Sequence, residues 1–294
     1  MTPDFPPRFP TAAADALIAL ALAEDLGDAG DVTSLSTIPA DRRGRATFVV
    51  RTPGVVAGLP VVALVLTQLH AAVAVTLHAA DGVNAERGTR LATVEGPLRA
   101  ILTAERTALN FLQRLSGVAT LTRKYVEAVA GLPVALLDTR KTTPGWRLLE
   151  KYAVRMGGGT NHRVGLYDGV LIKDNHLAGM PHPPTAVTDA IAAARSHPAS
   201  RHLPIEVEVD TLEQLDEALA ARPAIVLLDN MTNDQLRAAV ARRDAVAPGV
   251  SLEASGGVNL STVRGIAETG VERISVGAIT HSAAALDIAL DYDS

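Results

Sequence analysis

The stretch Ile205–Asp229, IEVEVDTLEQLDEALAARPAIVLLD, has the pattern of a strand, a helix and a second strand. Both ends are short runs rich in isoleucine, valine and leucine, which are typical of strands buried on both faces of a parallel sheet. Between them, Thr211 and Gln214 match a capping box, and Leu215 and Leu219 recur at the spacing of one helix face. The stretch therefore predicts one strand–helix–strand unit of an α/β protein.

The same alternation of apolar strands and amphipathic helices extends on both sides of this unit, from Gly131 to near the end of the sequence. A second capping box, at Thr232 and Gln235, marks the next helix. The pattern predicts a barrel or a doubly wound sheet. We predict six strands, at Val134–Asp138, Gly169–Lys173, Ile205–Val209, Ile225–Asp229, Ser251–Ser255 and Arg273–Val276.

Polar side chains fall at or near the ends of five of these strands, namely Asp138, Lys173, Glu208, Asp229 and Ser255. The βα loops of an α/β barrel converge at the carboxyl ends of its strands, so such residues meet at one face. A doubly wound sheet concentrates its chemistry at one switch point instead. Contributions from five strands therefore favour the barrel.

The N-terminal part of the sequence has a different pattern. Residues 11–26 predict a helix that Thr11 caps and Gly27 follows. Turn signals between Arg45 and Gly96 separate short strands, with one apolar helix near residues 61–69. This pattern predicts a small α+β domain. Its strands are expected at Ala46–Val50, Val73–Leu77 and Leu91–Val94.

A long helical region from Leu98 to Val129, predicted to break near Gly117, joins this domain to the alternating part. We therefore divide the chain into residues 1–115, a sandwich domain with the linking helix, and residues 116–294, the α/β barrel. A C-terminal helix is predicted to pack back on the first domain.

The composition excludes several classes of function. The 294 residues include 27 Lys and Arg against 32 Asp and Glu, so a general affinity for nucleic acid or anionic membrane is not expected. Without cysteine, disulfide scaffolds, thiolate metal sites and cysteine nucleophiles are excluded. The apolar segment Ala12–Ala23 contains Asp15 and lacks a basic leader, and no run reaches the roughly 18 apolar residues of a membrane span. We expect a cytoplasmic protein.

Basic residues are nevertheless concentrated in short segments on the linking helix, after two strands and in one loop. The segment Asp138–Gly145, DTRKTTPG, combines hydroxyl groups with a guanidinium and an ammonium group, which suits carboxylate or phosphate ligands. The alternative is a set of surface charges and ion pairs, and for the histidine a structural hydrogen bond. The candidate anion-binding residues are Arg106, Arg140, Lys141, His162, Arg163 and Lys173.

Glu206 and Glu208 lie on the same face of their strand, among valines, and therefore require cationic partners. Lys173, from the preceding strand, is the candidate partner, and a structural ion pair is one interpretation. In the other interpretation, Glu208 and Asp229 face a reacting centre that becomes cationic. A carboxylate at a barrel mouth is also a natural magnesium ligand.

Glycine turns follow the last two predicted strands, at Ser255–Val258 and Val276–Ala278. With a helix predicted to start near Asn259, they would form a phosphate cradle. The glycine-rich run Met156–Arg163 is flexible enough to bring backbone N–H groups close to a ligand, although a plain hinge loop is the alternative.

Taken together, these segments closely resemble the quinolinate phosphoribosyltransferase family. The resemblance extends from about Glu24 to the C-terminus and includes the N-terminal segment Gly30–Ser34, GDVTS. The segments that carry it are Glu105–Phe111 (ERTALNF), Asp138–Gly145 (DTRKTTPG), Gly157–Arg163 (GGGTNHR), Leu171–His176 (LIKDNH), Glu206–Glu208 (EVE), Leu227–Asn230 (LLDN) and Glu253–Gly257 (EASGG).

The resemblance implies an N-terminal α+β open sandwich followed by a six-element, partly open α/β barrel of the type II phosphoribosyltransferase kind. It also implies a reaction of quinolinate with 5-phosphoribosyl-1-pyrophosphate that gives nicotinate mononucleotide, pyrophosphate and carbon dioxide in NAD biosynthesis. Mg²⁺ is the expected cofactor. The expected assembly is a homodimer whose sites are shared between subunits, or a larger oligomer built from it.

Carried over residue by residue, the resemblance places Arg106 across the dimer from the other basic residues. Catalytic roles are implied for Lys141, Lys173, Glu208 and Asp229, of which Glu208 and Asp229 would hold the metal. Quinolinate-binding residues would be Arg106, Arg140, His162, Arg163 and Lys173. Residues that bind the phosphoribosyl substrate would be Thr139, Lys141, Glu208, Asp229, Ser255, Gly256, Gly257, Val276, Gly277 and Ala278.

Three other functions remain open at the level of sequence. A related phosphoribosyltransferase acting on a monocarboxylate such as nicotinate would need fewer basic groups. A Schiff-base aldolase would use Lys173 as its nucleophile. A sensor of phosphate or nucleotides would need neither the acidic pair nor the complete basic cluster.

Overall fold

A computed structural model describes residues 8–69, 72–180 and 186–293. The chain forms two compact units, each made of separate segments. The described parts of Met1–Arg123, Thr142–Gly159 and Ile279–Ser294 form the first unit. Lys124–Lys141 and the described parts of Thr160–Ala278 form the second. The cut predicted between residues 115 and 116 stays a prediction, since compactness divides the chain by a different criterion.

The helices in the described residues are α1 (Thr11–Leu26), α2 (Val32–Thr37), α3 (Pro60–Gln68), α4 (Leu98–Ala128), α5 (Arg147–Met156), α6 (Asp174–Ala178), α7 (Ala186–Ser196), α8 (Leu212–Ala221), α9 (Asn233–Val246), α10 (Val263–Ala267) and α11 (Ala278–His281).

The strands in the same ranges are β1 (Arg43–Val50), β2 (Gly54–Val55), β3 (Ala74–Leu77), β4 (Asn84–Ala85), β5 (Arg90–Pro97), β6 (Ala135–Leu137), β7 (Val170–Ile172), β8 (Ile205–Val209), β9 (Ile225–Asp229), β10 (Ser251–Ser255), β11 (Arg273–Ser275) and β12 (Ile288–Asp293).

The first unit is built on an antiparallel sheet in the order β12-β1-β5-β3, and β2 pairs with β4 apart from it. Helices α3 and α4 cover one face of the sheet, which confirms the predicted α+β sandwich. Side chains from the sheet and from both helices meet around one small apolar space, lined by Phe48, Val62, Leu66, Val94, Ile101, Ala104, Ala108 and Leu290.

The predicted C-terminal helix is wrong, because the chain ends in strand β12. Ile288 and Leu290 pair with Val50 and Phe48 of β1, so the segment does return to the first unit, but as an edge strand. Apolar side chains alternate with polar or small ones from Leu286 onwards, which is the period of a strand rather than that of a helix.

The predicted break near Gly117 is also wrong, since α4 runs without interruption from Leu98 to Ala128. A side chain at Gly117 would overlap the carbonyl group of Ala284, and the Cα of Ala285 lies close by. The glycine therefore permits close approach of the chain that leads to β12. A helix interior tolerates glycine at a cost of about 1 kcal/mol relative to alanine.

The second unit contains six parallel strands in the order β6-β11-β10-β9-β8-β7. This is the strand order of a barrel whose first and second strands, β6 and β7, form the edges. In the described residues, the isolated bridge of β6 joins Leu137 to Thr160, in the loop before β7. Strands β8, β9 and β10 have the predicted bounds, and the other three are one or two residues shorter. The six-element, partly open barrel is therefore confirmed.

Two predicted helix starts need correction. Helix α1 begins at Thr11 itself, and Thr11 makes no capping hydrogen bond because it is the first helical residue. Helix α10 begins at Val263 rather than near Asn259, because the Asn259 side chain closes a local turn by accepting the N–H of Ser261. Both predicted capping boxes, before α8 and α9, are confirmed.

In the described residues, no helix is long and apolar enough to cross a bilayer.

Replacing Gly117 by alanine tests the close approach of the chain at α4. We expect the free energy of unfolding to fall by about 2–3 kcal/mol, because the new methyl group overlaps backbone that cannot move independently. Urea unfolding measures this change. Gly249→Ala is the control, since a Cβ there meets nothing within 4 Å. Equal stability of the two variants would contradict this account.

Candidate active site

A cavity of about 270 Å³ lies at the carboxyl ends of the six parallel strands of the second unit. Each of the six strands contributes a lining residue, either from its last positions or from the loop that follows it. The lining residues are Thr139, Arg140, Lys141, His162, Arg163, Leu171, Lys173, Glu208, Leu227, Asp229, Glu253, Ser255 and Ser275. Nine of these are candidate site residues of the sequence analysis, so the structure brings them together.

Two guanidinium groups, those of Arg140 and Arg163, share one side of this cavity. Burial and the charge of Arg140 both lower the pKa of Arg163. The Arg163 guanidinium also donates from Nη1 to the carbonyl oxygen of Gly169 at 2.9 Å, which restrains it. The charges of Glu206 and Asp168 oppose that shift of the Arg163 pKa. Two guanidinium groups in one partly buried cavity suit this part of it to an anion.

Four polar side chains close to Arg163 form what we call the histidine cluster. They are His162, Glu206, Glu253 and Arg273. His162 Nε2 is 3.1 Å from Glu206 Oε2 and 3.3 Å from Glu253 Oε1. Arg273 Nε donates to Glu253 Oε2 at 2.8 Å. The sequence predicts that Lys173 compensates the charges of both Glu206 and Glu208. In the structure, Glu206 pairs with His162 instead.

The histidine cluster holds an additional proton. Burial lowers the pKa of His162, but the hydrogen bonds and charges of Glu206 and Glu253 outweigh it and raise that pKa to about 9. Burial also raises the pKa of Glu206. The backbone N–H of Arg163 donates to His162 Nδ1 at 2.9 Å, which requires that nitrogen to be unprotonated. The geometry therefore favours Glu206 as the site of the additional proton, within a group that titrates as a unit.

Asp138, one of the five predicted strand-end residues, does not line the cavity but holds the loop that does. Its side chain is fully buried. Oδ1 accepts the backbone N–H of His162 at 2.8 Å, and Oδ2 accepts the side chain of Asn161 at 2.6 Å. Asp138 thus fixes the loop that carries His162 and Arg163.

Two carboxylates, each near a lysine, line another part of the cavity. Glu208, which is nearly buried, forms an ion pair with Lys173, as predicted. Burial and the charge of Asp210 raise the pKa of Asp229, while the charges of Lys173 and Lys141 oppose that shift. The cavity therefore has a guanidinium side and a carboxylate side, which suits a ligand with both anionic and developing cationic character.

Glu208 and Asp229 are the residues best suited to a hard divalent cation, because they offer carboxylate oxygens at the open cavity. Three ligand atoms of the histidine cluster, from His162, Glu206 and Glu253, lie within 4.8 Å of one another. Arg273 and the proton on Nε2 already compensate these carboxylates, so the histidine cluster is an internal ion-pair network rather than a cation site.

Several predicted site residues lie outside the cavity lining. Arg106 belongs to the first unit, where it is exposed on α4. Five others directly follow β10 or β11, and their predicted contact with phosphate stays a prediction; they are Gly256, Gly257, Val276, Gly277 and Ala278. Gly256 has a φ of +94°, and a side chain there would overlap Asn230, so this turn requires glycine.

Four lining residues were not assigned to the site from sequence: Leu171, Leu227, Glu253 and Ser275. Leu171, Leu227 and Glu253 each precede a predicted site residue by two positions in the same strand or its end. Alternate residues of a strand point to the same face, so this spacing could have identified them. Ser275 precedes Gly277 by the same interval.

Comparison with known protein families identifies the family to which this chain belongs. The family model for the C-terminal domain of quinolinate phosphoribosyl transferase matches residues 118–291, and the model for the N-terminal domain matches residues 31–116. The chain belongs to the quinolinate phosphoribosyltransferase family. The resemblance seen in the sequence is thereby confirmed.

Individual members of the family support this assignment. The nicotinate-nucleotide pyrophosphorylase (carboxylating) of Mycobacterium leprae is 48% identical over 273 residues, which cover 92% of this chain and 94% of that protein. The chloroplastic enzyme of the same name from Oryza sativa is 42% identical, with 99% and 81% covered. The solved structure of the nicotinate-nucleotide pyrophosphorylase from Francisella tularensis has a TM-score of 0.88 at 38% identity, covering 97% and 98%.

The histidine cluster predicts a pH dependence of stability. The folded-state pKa values of His162 and Glu206 are raised, so the folded chain binds more protons than the unfolded one. The stability from the additional proton of this cluster, which titrates as a unit, is complete below the ordinary histidine pKa of 6.5 and is lost as the pH rises through about 9. We expect the wild-type free energy of unfolding to fall across this window by about 1–3 kcal/mol more than that of Glu206→Gln.

Urea unfolding at several pH values measures this difference. Glu206→Gln keeps the shape of the side chain but removes one of the two carboxylates, so the cluster no longer needs the additional proton. Groups outside the cluster affect both proteins equally and cancel in the comparison. Parallel pH profiles for the two proteins would show that the cluster does not take up a proton on folding.

Proposed function

We propose that this protein transfers the phosphoribosyl group of 5-phosphoribosyl-1-pyrophosphate to quinolinate, giving nicotinate mononucleotide, pyrophosphate and carbon dioxide in NAD biosynthesis. The observation that carries the proposal is the pair Arg140 and Arg163, two like charges in one cavity that faces the carboxylates of Glu208 and Asp229. The names of the relatives from Mycobacterium leprae and Oryza sativa agree with it.

The guanidinium side favours a dicarboxylate acceptor. Quinolinate brings two carboxylates on adjacent ring carbons, one for each guanidinium group, and planar guanidinium groups match carboxylates in a two-pronged geometry. A monocarboxylate such as nicotinate would bind only one of the two guanidinium groups. The crowding of Arg140 and Arg163 therefore supports quinolinate over nicotinate.

The carboxylate side suits the ribosyl substrate. Loss of pyrophosphate from ribose leaves positive charge on the ring, and Glu208 and Asp229 supply the negative charges that stabilise it. Lys141 and Thr139 adjoin them in the cavity lining and can bind the phosphate oxygens. The glycine turns after β10 and β11 are the proposed site of the 5-phosphate.

The bonds of the proposed reaction balance without a covalent enzyme intermediate. The bond from ribose C1 to the pyrophosphate oxygen breaks, and the pyridine nitrogen supplies the electron pair for the new C1–N bond. The carboxylate beside the now cationic nitrogen then leaves as carbon dioxide, and its electron pair stays on the ring carbon. A proton from solvent completes the product.

Magnesium fits the same side of the cavity. Glu208 and Asp229 offer oxygen ligands, and Mg²⁺ typically combines one or two carboxylates with substrate phosphates and water. When bound, the ion neutralises charge on the leaving pyrophosphate. These two residues are the proposed protein ligands.

Two of the alternative functions have less support. The amino group of Lys173 is held in an ion pair with Glu208, whereas a Schiff-base lysine requires an uncharged amine. A sensor that only binds phosphate needs no carboxylates facing the ligand. Borohydride trapping with carbonyl substrates separates the first alternative, since no adduct is expected from a phosphoribosyltransferase.

The direct test is incubation with 5-phosphoribosyl-1-pyrophosphate, Mg²⁺ and either quinolinate or nicotinate, following product by chromatography and released carbon dioxide. We expect turnover of quinolinate, and a kcat/KM at least ~100-fold lower for nicotinate, because an unpaired buried charge costs several kcal/mol. Arg163→Ala should lower kcat/KM for quinolinate by about the same factor. Arg237→Ala, on the exposed face of α9, is the control expected to retain activity.

We also propose a homodimer in which Arg106 of each subunit completes the quinolinate site of the other. Arg106 is exposed on α4, and its position in the segment Glu105–Phe111 carries part of the family resemblance. A cytoplasmic location is proposed as well, on the basis of the acidic composition.

Mixing two inactive variants tests the shared site. Arg106→Ala alone and Lys141→Ala alone should each abolish turnover. If sites are shared, a mixed dimer contains one intact site, so exchange of subunits between the variants should restore about a quarter of wild-type activity. Activity that stays at the level of the separate variants, under conditions where labelled subunits are seen to exchange, would rule out the shared site.

A further inference from the structure

The ring of His162 has both of its nitrogen atoms engaged inside the protein. Nδ1 accepts the N–H of Arg163, and Nε2 faces the carboxylates of Glu206 and Glu253. Only 9% of the side chain is exposed. The ring therefore presents carbon atoms rather than an N–H group to the cavity, although the family resemblance places this residue at the quinolinate carboxylates.

A continuous series of contacts leads from the barrel interior to the main chain of Arg163. Arg273 pairs with Glu253, Glu253 and Glu206 hold His162 Nε2, and the other side of the ring holds the Arg163 N–H. Beyond this point the guanidinium of Arg163 is tied to Gly169. The position of Arg163 is thus defined from both its main chain and its side chain.

The fold itself does not require a carboxylate at the position of Glu206. Its register partners are Leu171 on β7 and Ile225 on β9, so both neighbouring strands carry aliphatic side chains at this level of the barrel. Burying Glu206 beside Glu253 costs free energy unless both are compensated. A buried carboxylate that needs this compensation, between strands that carry Leu171 and Ile225 at the same level, points to a role in the site.

We propose that Glu206 and Glu253 are positioning residues that orient His162, and that His162 acts by holding Arg163 in place for a carboxylate of the acceptor. This inference rests on the proposed function, because it names quinolinate as the ligand. It replaces direct donation from His162 to the substrate with an indirect role through the neighbouring residue. The guanidinium is then held against the repulsion of Arg140 before the ligand arrives.

Substitutions at Glu206 test the role through kinetics. Glu206→Leu removes the acceptor for Nε2, and we expect the KM for quinolinate to rise about tenfold or more, as when a hydrogen bond to a charged group is lost. The KM for 5-phosphoribosyl-1-pyrophosphate should change by less than about twofold, because the carboxylate side is untouched. Glu206→Gln keeps a carbonyl oxygen as acceptor and should restore the quinolinate KM to near the wild-type value.

Val207→Ala is the control for general destabilisation of β8. Val207 is fully buried on the opposite face of the strand, and its truncation should lower the thermal unfolding temperature without changing the ratio of the two KM values. Equal rises of both KM values in Glu206→Leu, or the same selective rise in Val207→Ala, would overturn the positioning role.

A measurement on the wild-type protein makes the test independent of whether Glu206→Leu folds. In protein labelled with ¹⁵N-histidine, Nδ1 of His162 should resonate as an unprotonated, hydrogen-bonded nitrogen near neutral pH, and Nε2 as a protonated one. His162→Gln assigns the signals by their loss. A protonated Nδ1 would overturn the proposed contact with the Arg163 N–H.

The kinetic experiments distinguish failure of the proposed function from failure of the positioning role. If the wild type does not convert quinolinate, the function and the ligand named here are both wrong, whatever the spectrum shows. If the wild type converts quinolinate normally but Glu206→Leu leaves its quinolinate KM unchanged, only the positioning role is overturned.

Discussion

The repulsion between the guanidinium groups of Arg140 and Arg163 is the constraint on which the rest of the site depends. Both groups lie in one partly buried cavity, where water screens their charges less than at an open surface. Left to themselves, the two side chains would separate into solvent. The surrounding hydrogen bonds to Gly169, Asp138 and His162 hold the loop so that the charges stay together. The barrel therefore maintains a region with two guanidinium groups, which suits an anion.

The carboxylates inside the barrel are arranged so that they do not neutralise this positive region. Glu208 is paired with Lys173, Glu253 with Arg273, and Glu206 with His162. Each of these three acidic side chains has a cationic or proton-bearing partner other than the two cavity guanidiniums, while the charges of Glu206 and Asp168 also act on Arg163. A protein with a net charge of −5 can thus keep a local excess of positive charge at one end of a barrel.

Strand periodicity explains how much of this could be predicted. Apolar runs and capping boxes located all six barrel strands, and residues at their ends gave most of the cavity. Applying the two-residue spacing of a strand more strictly would have added Leu171, Leu227 and Glu253. The same spacing in Leu286 to Tyr292 would have indicated β12 instead of a helix. Gly117 could not be interpreted correctly, because its reason is the approach of Ala284, which is remote in sequence.

The partners of Glu206 could not be predicted for a further physical reason. His162 lies in a loop without periodic structure, and its position depends on Asp138, a residue that sequence analysis placed at the cavity by strand position alone. A carboxylate at a strand end can either line the cavity or support the loop that lines it, and only the three-dimensional contacts distinguish the two roles. Since a buried carboxylate without a task is disfavoured, Asp138 and Glu206 are both best understood by what they hold in place. In this barrel, Asp138 and Glu206 thus support the loop of His162 and Arg163 rather than line the cavity themselves.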